Sequence, residues 1–217
     1  GIREATNPTE PGTPAGLAEP VVSLYEGRDG TLWVGTSSGL YGWKDGRIRT
    51  ALGKDSLRLP NVRAITETPD GLLWFGMAGG GLGCLKNGMM PRQFLSPEGP
   101  GSDFVMALHV DAEGALWIGT GDKGLVRLKA GRFASIAAAQ GLGMRSIGHI
   151  VDGGDGTLWL GSSRGIVSAR KDDLDACADG RVETVSFSSY GAGEGPSALA
   201  CSEGFQPRAQ RVADGSL

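Results

Sequence analysis

A tryptophan-centred octet that recurs four times limits what this chain can fold into more than any other feature. The copies are Asp29-Gly30-Thr31-Leu32-Trp33-Val34-Gly35-Thr36, Asp70-Gly71-Leu72-Leu73-Trp74-Phe75-Gly76-Met77, Glu113-Gly114-Ala115-Leu116-Trp117-Ile118-Gly119-Thr120 and Asp155-Gly156-Thr157-Leu158-Trp159-Leu160-Gly161-Ser162. A fifth begins at Asp214-Gly215-Ser216-Leu217. The tryptophans stand 41, 43 and 42 residues apart. A unit of about 40–45 residues is the length of a four-stranded propeller blade. Helical repeats of that length would carry an apolar period of roughly 3.6 residues, and these segments are too short and too often broken by glycine for that.

The expected fold is therefore all-β, a β-propeller with four complete four-stranded blades and a partial fifth. Residues 1–14 hold several prolines and read as an extended lead-in. The blades fall at about 15–53, 54–97, 98–138 and 139–188, with a partial closing blade at 189–217. The second blade shows the parse. Val62–Glu67 is a first strand, Pro69-Asp70-Gly71 a hairpin turn and Leu73–Met77 a second strand. After the glycine-rich loop 78–81 come a third strand at Leu82–Leu85, an Asn87-Gly88 turn and a fourth strand at Met89–Phe94. Asp-Gly and Asn-Gly accept the positive φ that tight hairpins require. Corresponding third-to-fourth strand turns fall at Asp45-Gly46, Ala130-Gly131 and Asp179-Gly180, and second-to-third strand loops end at Gly39, Gly81, Gly124 and Gly165. The chain has 38 glycines in 217 residues, well above the usual 7 % or so, as so many turns demand. Trp33, Trp74, Trp117 and Trp159 are expected to pack between neighbouring blades, and the glycine two places later to admit close backbone. The stretch 172–210 is longer than the other inter-blade links.

Charge narrows the partners. With 21 basic and 24 acidic residues the net charge is −3, and no basic face is present, which argues against nucleic acid. No stretch reaches the roughly 20 apolar residues of a membrane helix. Cys84, Cys177 and Cys201 are odd in number and fit no zinc spacing. Free thiols are the preferred reading, and a Cys177–Cys201 disulfide is the alternative.

Propellers place ligands on the face built from second-to-third strand loops and inter-blade links. The candidate ligand-binding residues there are Ser37, Ser38, Arg58, Asn61, Asp103, Asp122, Lys123, Arg145 and Arg164. Each alone reads as a solvated loop residue; as a set they suit a polar small molecule such as an oligosaccharide. No catalytic residue, cofactor or metal site is expected. His109 and His149 fall in first strands, on the same strand face, and read as structural. Asp29, Asp70, Asp155 and Asp214 belong to Asp-Gly turns, which account for them. Gly79-Gly80-Gly81 lacks the Lys-Ser/Thr of a phosphate loop, and no Gly-x-Ser-x-Gly elbow occurs.

The element Asp-Gly-x-Leu-Trp-x-Gly-Thr followed by Ser-Gly-Leu resembles the two-component regulator propeller repeat, which builds extracytoplasmic sensor regions of large bacterial receptors. Tyr190-Gly191, Ala200-Cys201, Gly204-Phe205-Gln206-Pro207 and Asp214-Gly215 look like the long last repeat of such propellers. Glu194-Gly195-Pro196 and Ala200 depart from its usual text. The resemblance implies a non-catalytic sensor domain in the periplasm, part of a seven-bladed propeller of which this chain is a fragment. It implies a β-sandwich, a membrane helix and a histidine kinase or diguanylate cyclase downstream in the same chain, and a homodimeric receptor. A propeller lyase acting on a polysaccharide or cyclic substrate, and a protein-interaction scaffold, are the alternative functions, since fold alone does not decide function.

Overall fold

The computed structural model describes residues 20–86 and 92–190. They form four four-stranded antiparallel sheets, each a simple meander. The first blade holds β1 (Val21–Glu26), β2 (Leu32–Thr36), β3 (Leu40–Lys44) and β4 (Arg47–Leu52). The second holds β5 (Val62–Glu67), β6 (Leu73–Met77), β7 (Gly81–Leu85) and β8 (Arg92–Phe94). The third holds β9 (Val105–Val110), β10 (Leu116–Thr120), β11 (Leu125–Lys129) and β12 (Arg132–Ile136). The fourth holds β13 (His149–Asp152), β14 (Thr157–Ser162) and β15 (Gly165–Arg170), then a helix, α1 (Lys171–Ala178), and β16 (Ser188–Tyr190). The propeller expected from the repeat is the fold. The lead-in, the Asn87-Gly88 turn, Met89–Pro91 and residues 191–217 of the closing blade lie outside the described residues, as do Cys201 and Asp214.

The octet builds the blade interfaces through strand alternation. On β6, Leu73 and Phe75 point into the core shared by the first two blades, while Trp74 points into the core shared with the third. On β10, Leu116 and Ile118 likewise face back to the second blade and Trp117 faces forward to the fourth. A strand sandwiched this way is buried on both faces, so it reads as a continuous apolar run rather than an alternating one. Trp117 is fully buried, and its indole N–H donates to Asp111 Oδ2 at 2.9 Å. Trp74 donates to Thr68 Oγ1 at 3.3 Å. Trp159 stacks against Tyr190, centroids 5.0 Å apart.

The glycine two residues after Trp33, Trp74 and Trp117 marks where the next blade crosses. A Cβ on Gly119 would stand 2.5 Å from the Ile147 carbonyl oxygen, and one on Gly76 would stand 2.4 Å from Val105 Cγ1. Real side chains do not tolerate such approaches, so only glycine lets the next inner strand start there. The third-to-fourth strand hairpins at Asp45-Gly46 (φ 51° and 74°) and Ala130-Gly131 (φ 50° and 76°) are left-handed at both central residues, as the twist of the flanking strands favours.

One expectation fails. Asp179-Gly180 is not a strand-to-strand turn in the fourth blade: it follows the C-terminus of α1, whose last turn Asp179 closes by donating to the Asp175 carbonyl. The insertion forms because Leu174, Cys177 and Ala178, at helical spacing, bury one stripe in the core between the third and fourth blades. Its polar side is held by ion pairs. Arg127, buried on β11, bridges Asp175 and Asp179. Lys171 reaches Asp175 at 2.8 Å, Glu113 at 3.0 Å and Asp111 at 3.3 Å. Burial would lower the Lys171 ammonium, but its bonds to Asp175 and Glu113 outweigh that and hold it above its ordinary value. Cys84 and Cys177 are free thiols, both pushed up by burial.

Candidate functional site

A four-stranded meander sends its first-to-second and third-to-fourth connections to one face and its second-to-third loop and outgoing link to the other. The first, the turn face, carries the octet carboxylates, and their roles are local. Asp29 accepts from Thr31 N and Oγ1, both at 2.9 Å, and from Lys44 Nζ at 2.8 Å. These bonds, that from Lys44 first, lower its carboxyl to about 2. Asp155 accepts from Thr157 N at 3.0 Å, and Asp70 accepts from Thr68 Oγ1 at 2.6 Å. Turn chemistry thus absorbs the described aspartates of the array.

The second face is where the candidate ligand residues lie, and the structure sorts them. Ser37 and Ser38 sit in the β2–β3 loop, where Thr36 Oγ1 accepts from the N–H groups of Ser38 and Gly39. Arg58 is exposed, but its backbone is clamped: Gln93 Oε1 accepts from its N–H at 3.1 Å, and Gln93 Nε2 donates to its carbonyl at 2.8 Å. Asn61 donates to the Leu59 carbonyl and accepts from Ala78 N, both at 2.9 Å. Its Oδ1 is buried with no hydrogen-bond partner among the described residues. Asp103 is a scaffold residue: its carbonyl accepts from Gly79 N and Gly81 N, and its carboxylate accepts from Ser96 N at 2.7 Å. Arg164 is exposed in the β14–β15 loop, its N–H held by Ser162 Oγ.

Three of the candidates converge. Asp122, Lys123 and Arg145 line one pocket of about 370 Å³ with Ala137, Ala138 and Met144. The β10–β11 loop supplies the first two. Thr120 Oγ1 holds that loop by accepting from Lys123 N and donating to the Gly124 carbonyl, both at 2.9 Å. The link from β12 to β13 supplies the rest. It is shaped by a 3-10 turn at Ala138–Gln140 and by Gly141, whose φ of 94° suits glycine. Gly124 N donates to the Arg145 carbonyl at 2.8 Å, tying loop to link. Asp122 is engaged by the Ser102 hydroxyl and lies 3.6 Å from the Lys123 ammonium. Arg145 is exposed and forms no ion pair among the described residues. The pocket thus offers two cations, one internally bonded carboxylate and an apolar floor.

Sequence reasoning missed Ala137 and Ala138, which carry no chemical signal, and the clamp formed by Gln93, which depends on a strand 35 residues away. His149 is buried at the start of β13 and His109 lies half-buried on β9. Among the described residues no group of three His, Cys, Asp or Glu side chains is placed to hold a metal ion.

Sheet order, meander connectivity and tryptophan-sealed blade contacts define the class as a β-propeller. Residues 16–38 and 99–122 match the family model described as two component regulator propeller. Among solved structures the chain is similar to the extracellular domain of a putative hybrid two-component system from B. thetaiotaomicron, with TM-score 0.66 and 23 % identity over 79 % of this chain and 23 % of that one. A second such domain from the same organism gives TM-score 0.62 and 18 % identity over 80 % of this chain and 25 % of that one. Virginiamycin B lyase from Staphylococcus aureus gives TM-score 0.58 and 18 % identity over 77 % of this chain and 54 % of that one. The chain therefore spans about a quarter of the two-component domains and about half of the lyase. At these identities the likenesses show the fold. No curated protein matches the sequence significantly.

Proposed function

We propose that this chain is the ligand-binding sensor part of a bacterial transmembrane signalling receptor, extracytoplasmic and without catalytic chemistry of its own. The observation that carries this reading is the Asp122–Lys123–Arg145 pocket: it joins two loops on one face and offers charge and an apolar floor. The family repeat and the two-component neighbours support it. In the reading, a polar small molecule or oligosaccharide bridges the third and fourth blades. Its binding energy then biases the receptor between two states, passed on by a downstream β-sandwich and membrane helix to a histidine kinase or diguanylate cyclase in a homodimer.

The lyase neighbours favour a second reading, a propeller enzyme. One experiment separates them. The purified chain is titrated calorimetrically with a library of oligosaccharides, and any binder is incubated with it and followed by mass spectrometry. Saturable binding with the ligand recovered intact supports the sensor. Conversion of the ligand refutes it in favour of the lyase, and absence of any binder refutes the site.

A further inference from the structure

The pocket continues across the second face as a strip. Gly121 N donates to the Phe104 carbonyl at 2.8 Å, so Phe104 adjoins the loop that carries Asp122 and Lys123. Phe104 is 52 % exposed. Phe104 also pairs with Ala78 in an isolated bridge, and beyond Ala78 lies the partly exposed Gly79, which has no side chain to fill the surface. Leu59 borders it: its Cδ1 lies 3.4 Å from where a Cβ on Gly79 would stand, and it is 57 % exposed. Leu59 is also left-handed, with φ of 51°. A leucine in that region costs about 1–3 kcal/mol and persists only where the surroundings impose it. Here they do, through the Gln93 side chain on Arg58 and on the Gly80 carbonyl at 2.6 Å. An apolar side chain is thereby presented to water beside Gly79 and the exposed Phe104.

We propose that this strip is the saccharide-binding surface and that its ligand is an acidic oligosaccharide, an inference that rests on the sensor reading above. The carboxylate of one sugar sits between Lys123 and Arg145, where charge-assisted hydrogen bonds are available. The flat apolar face of a neighbouring sugar lies on Phe104, over Gly79 and against Leu59. Rings carry a negative face that attracts C–H edges, and an aromatic surface with a few placed polar groups is what sugar-sized ligands select. Charge directs the assignment: the chain is acidic overall, yet Arg58, Arg145 and Arg164 on this face have no ion-pair partner among the described residues.

The test is calorimetric titration of the 217-residue chain with trigalacturonate and with neutral maltotriose, matched in length. The acidic trimer is expected to bind about tenfold or more tighter, the increment of one charged hydrogen bond. Lys123→Ala with Arg145→Ala is expected to abolish that preference, and Phe104→Ala to weaken the acidic trimer about tenfold, with unchanged circular dichroism. Arg132→Ala, exposed at the start of β12 on the turn face, serves as the surface-charge control and is expected to bind as the parent does. Equal binding of the two trimers overturns the acidic assignment and leaves the sensor reading standing. Acidic binding that survives the Lys123, Arg145 and Phe104 substitutions overturns the strip. Binding of neither trimer at millimolar concentration overturns the saccharide assignment, and the wider library then decides the sensor reading separately.

Discussion

On the turn face Lys44 meets Asp29 at 2.8 Å, Lys129 meets Glu113 at 2.7 Å, and Lys171 gathers three carboxylates around the start of α1. On the opposite face Arg58, Arg145 and Arg164 form no ion pair with any described residue; of the acids beside them, Asp103 is tied to Ser96 N, and Asp122 to the Ser102 hydroxyl and, at 3.6 Å, to the Lys123 ammonium. One face thus uses its charges to hold blades and helix together, while the other leaves cations facing solvent. The contrast follows from the connections each face carries. Two-residue hairpins bring octet carboxylates and strand-end lysines to fixed, short separations. Second-to-third loops and long links are anchored through main chain and hydroxyls, as in Thr120 and Gly124, so their charged tips stay available. Binding residues concentrate on such loops because a rigid scaffold positions them without needing them.

The same substitution on the two faces tests this division most severely. Arg127→Met takes the buried guanidinium from Asp175 and Asp179, leaving Lys171 as the counter-charge of Asp175, and is expected to cost about 1.5–3 kcal/mol in urea unfolding. Arg145→Met is expected to stay within about 0.5 kcal/mol. Comparable losses would show that both faces are structural. Acid should act next, through the turn face. Asp29 and Glu113 are both lowered to about 2, Asp29 by Lys44 and Thr31, Glu113 by Lys129 and Lys171. Because their folded values lie below the unfolded ones, their contribution is complete above about pH 5 and is lost as pH falls toward 2. The thermal midpoint measured across that window should drop, and Asp29→Asn should flatten the drop; an unchanged slope would show that Asp29 does not contribute. The smallest effect is assigned to Lys44→Met. Its pair with Asp29 is partly exposed, 37 % and 62 %, and such pairs are worth about 0.2–1 kcal/mol. A loss near that of Arg127→Met would erase the distinction between exposed and buried pairs.

Much of the fold was readable before the structure. Val62–Glu67 and Leu73–Met77 are strands with the residue limits expected from the octet, because a hairpin's period and turn chemistry are local. Asp122, Lys123 and Arg145 were legible as residents of one face, since topology alone sends those connections there. Their meeting in one pocket was not, because it depends on how the link after β12 bends. Helix α1 is not legible in the sequence, which offers only a long stretch from residue 172 and, in Asp179-Gly180, what reads as a strand turn. Its stabilising partner, Arg127, lies 48 residues before Asp175, so no local pattern in Lys171–Ala178 announces that the stripe will be buried.

By itself the sequence determined the four-stranded meander of the blades and which connections share a face. Both follow from a repeat of about 42 residues whose tryptophan, glycine and turn residues act over short range. Tertiary structure alone decided which loop residues are scaffold and which are exposed to a ligand. Asp103 became a brace and Arg145 a pocket wall because their partners come from other strands and other blades, and a pattern confined to one repeat carries no record of those contacts.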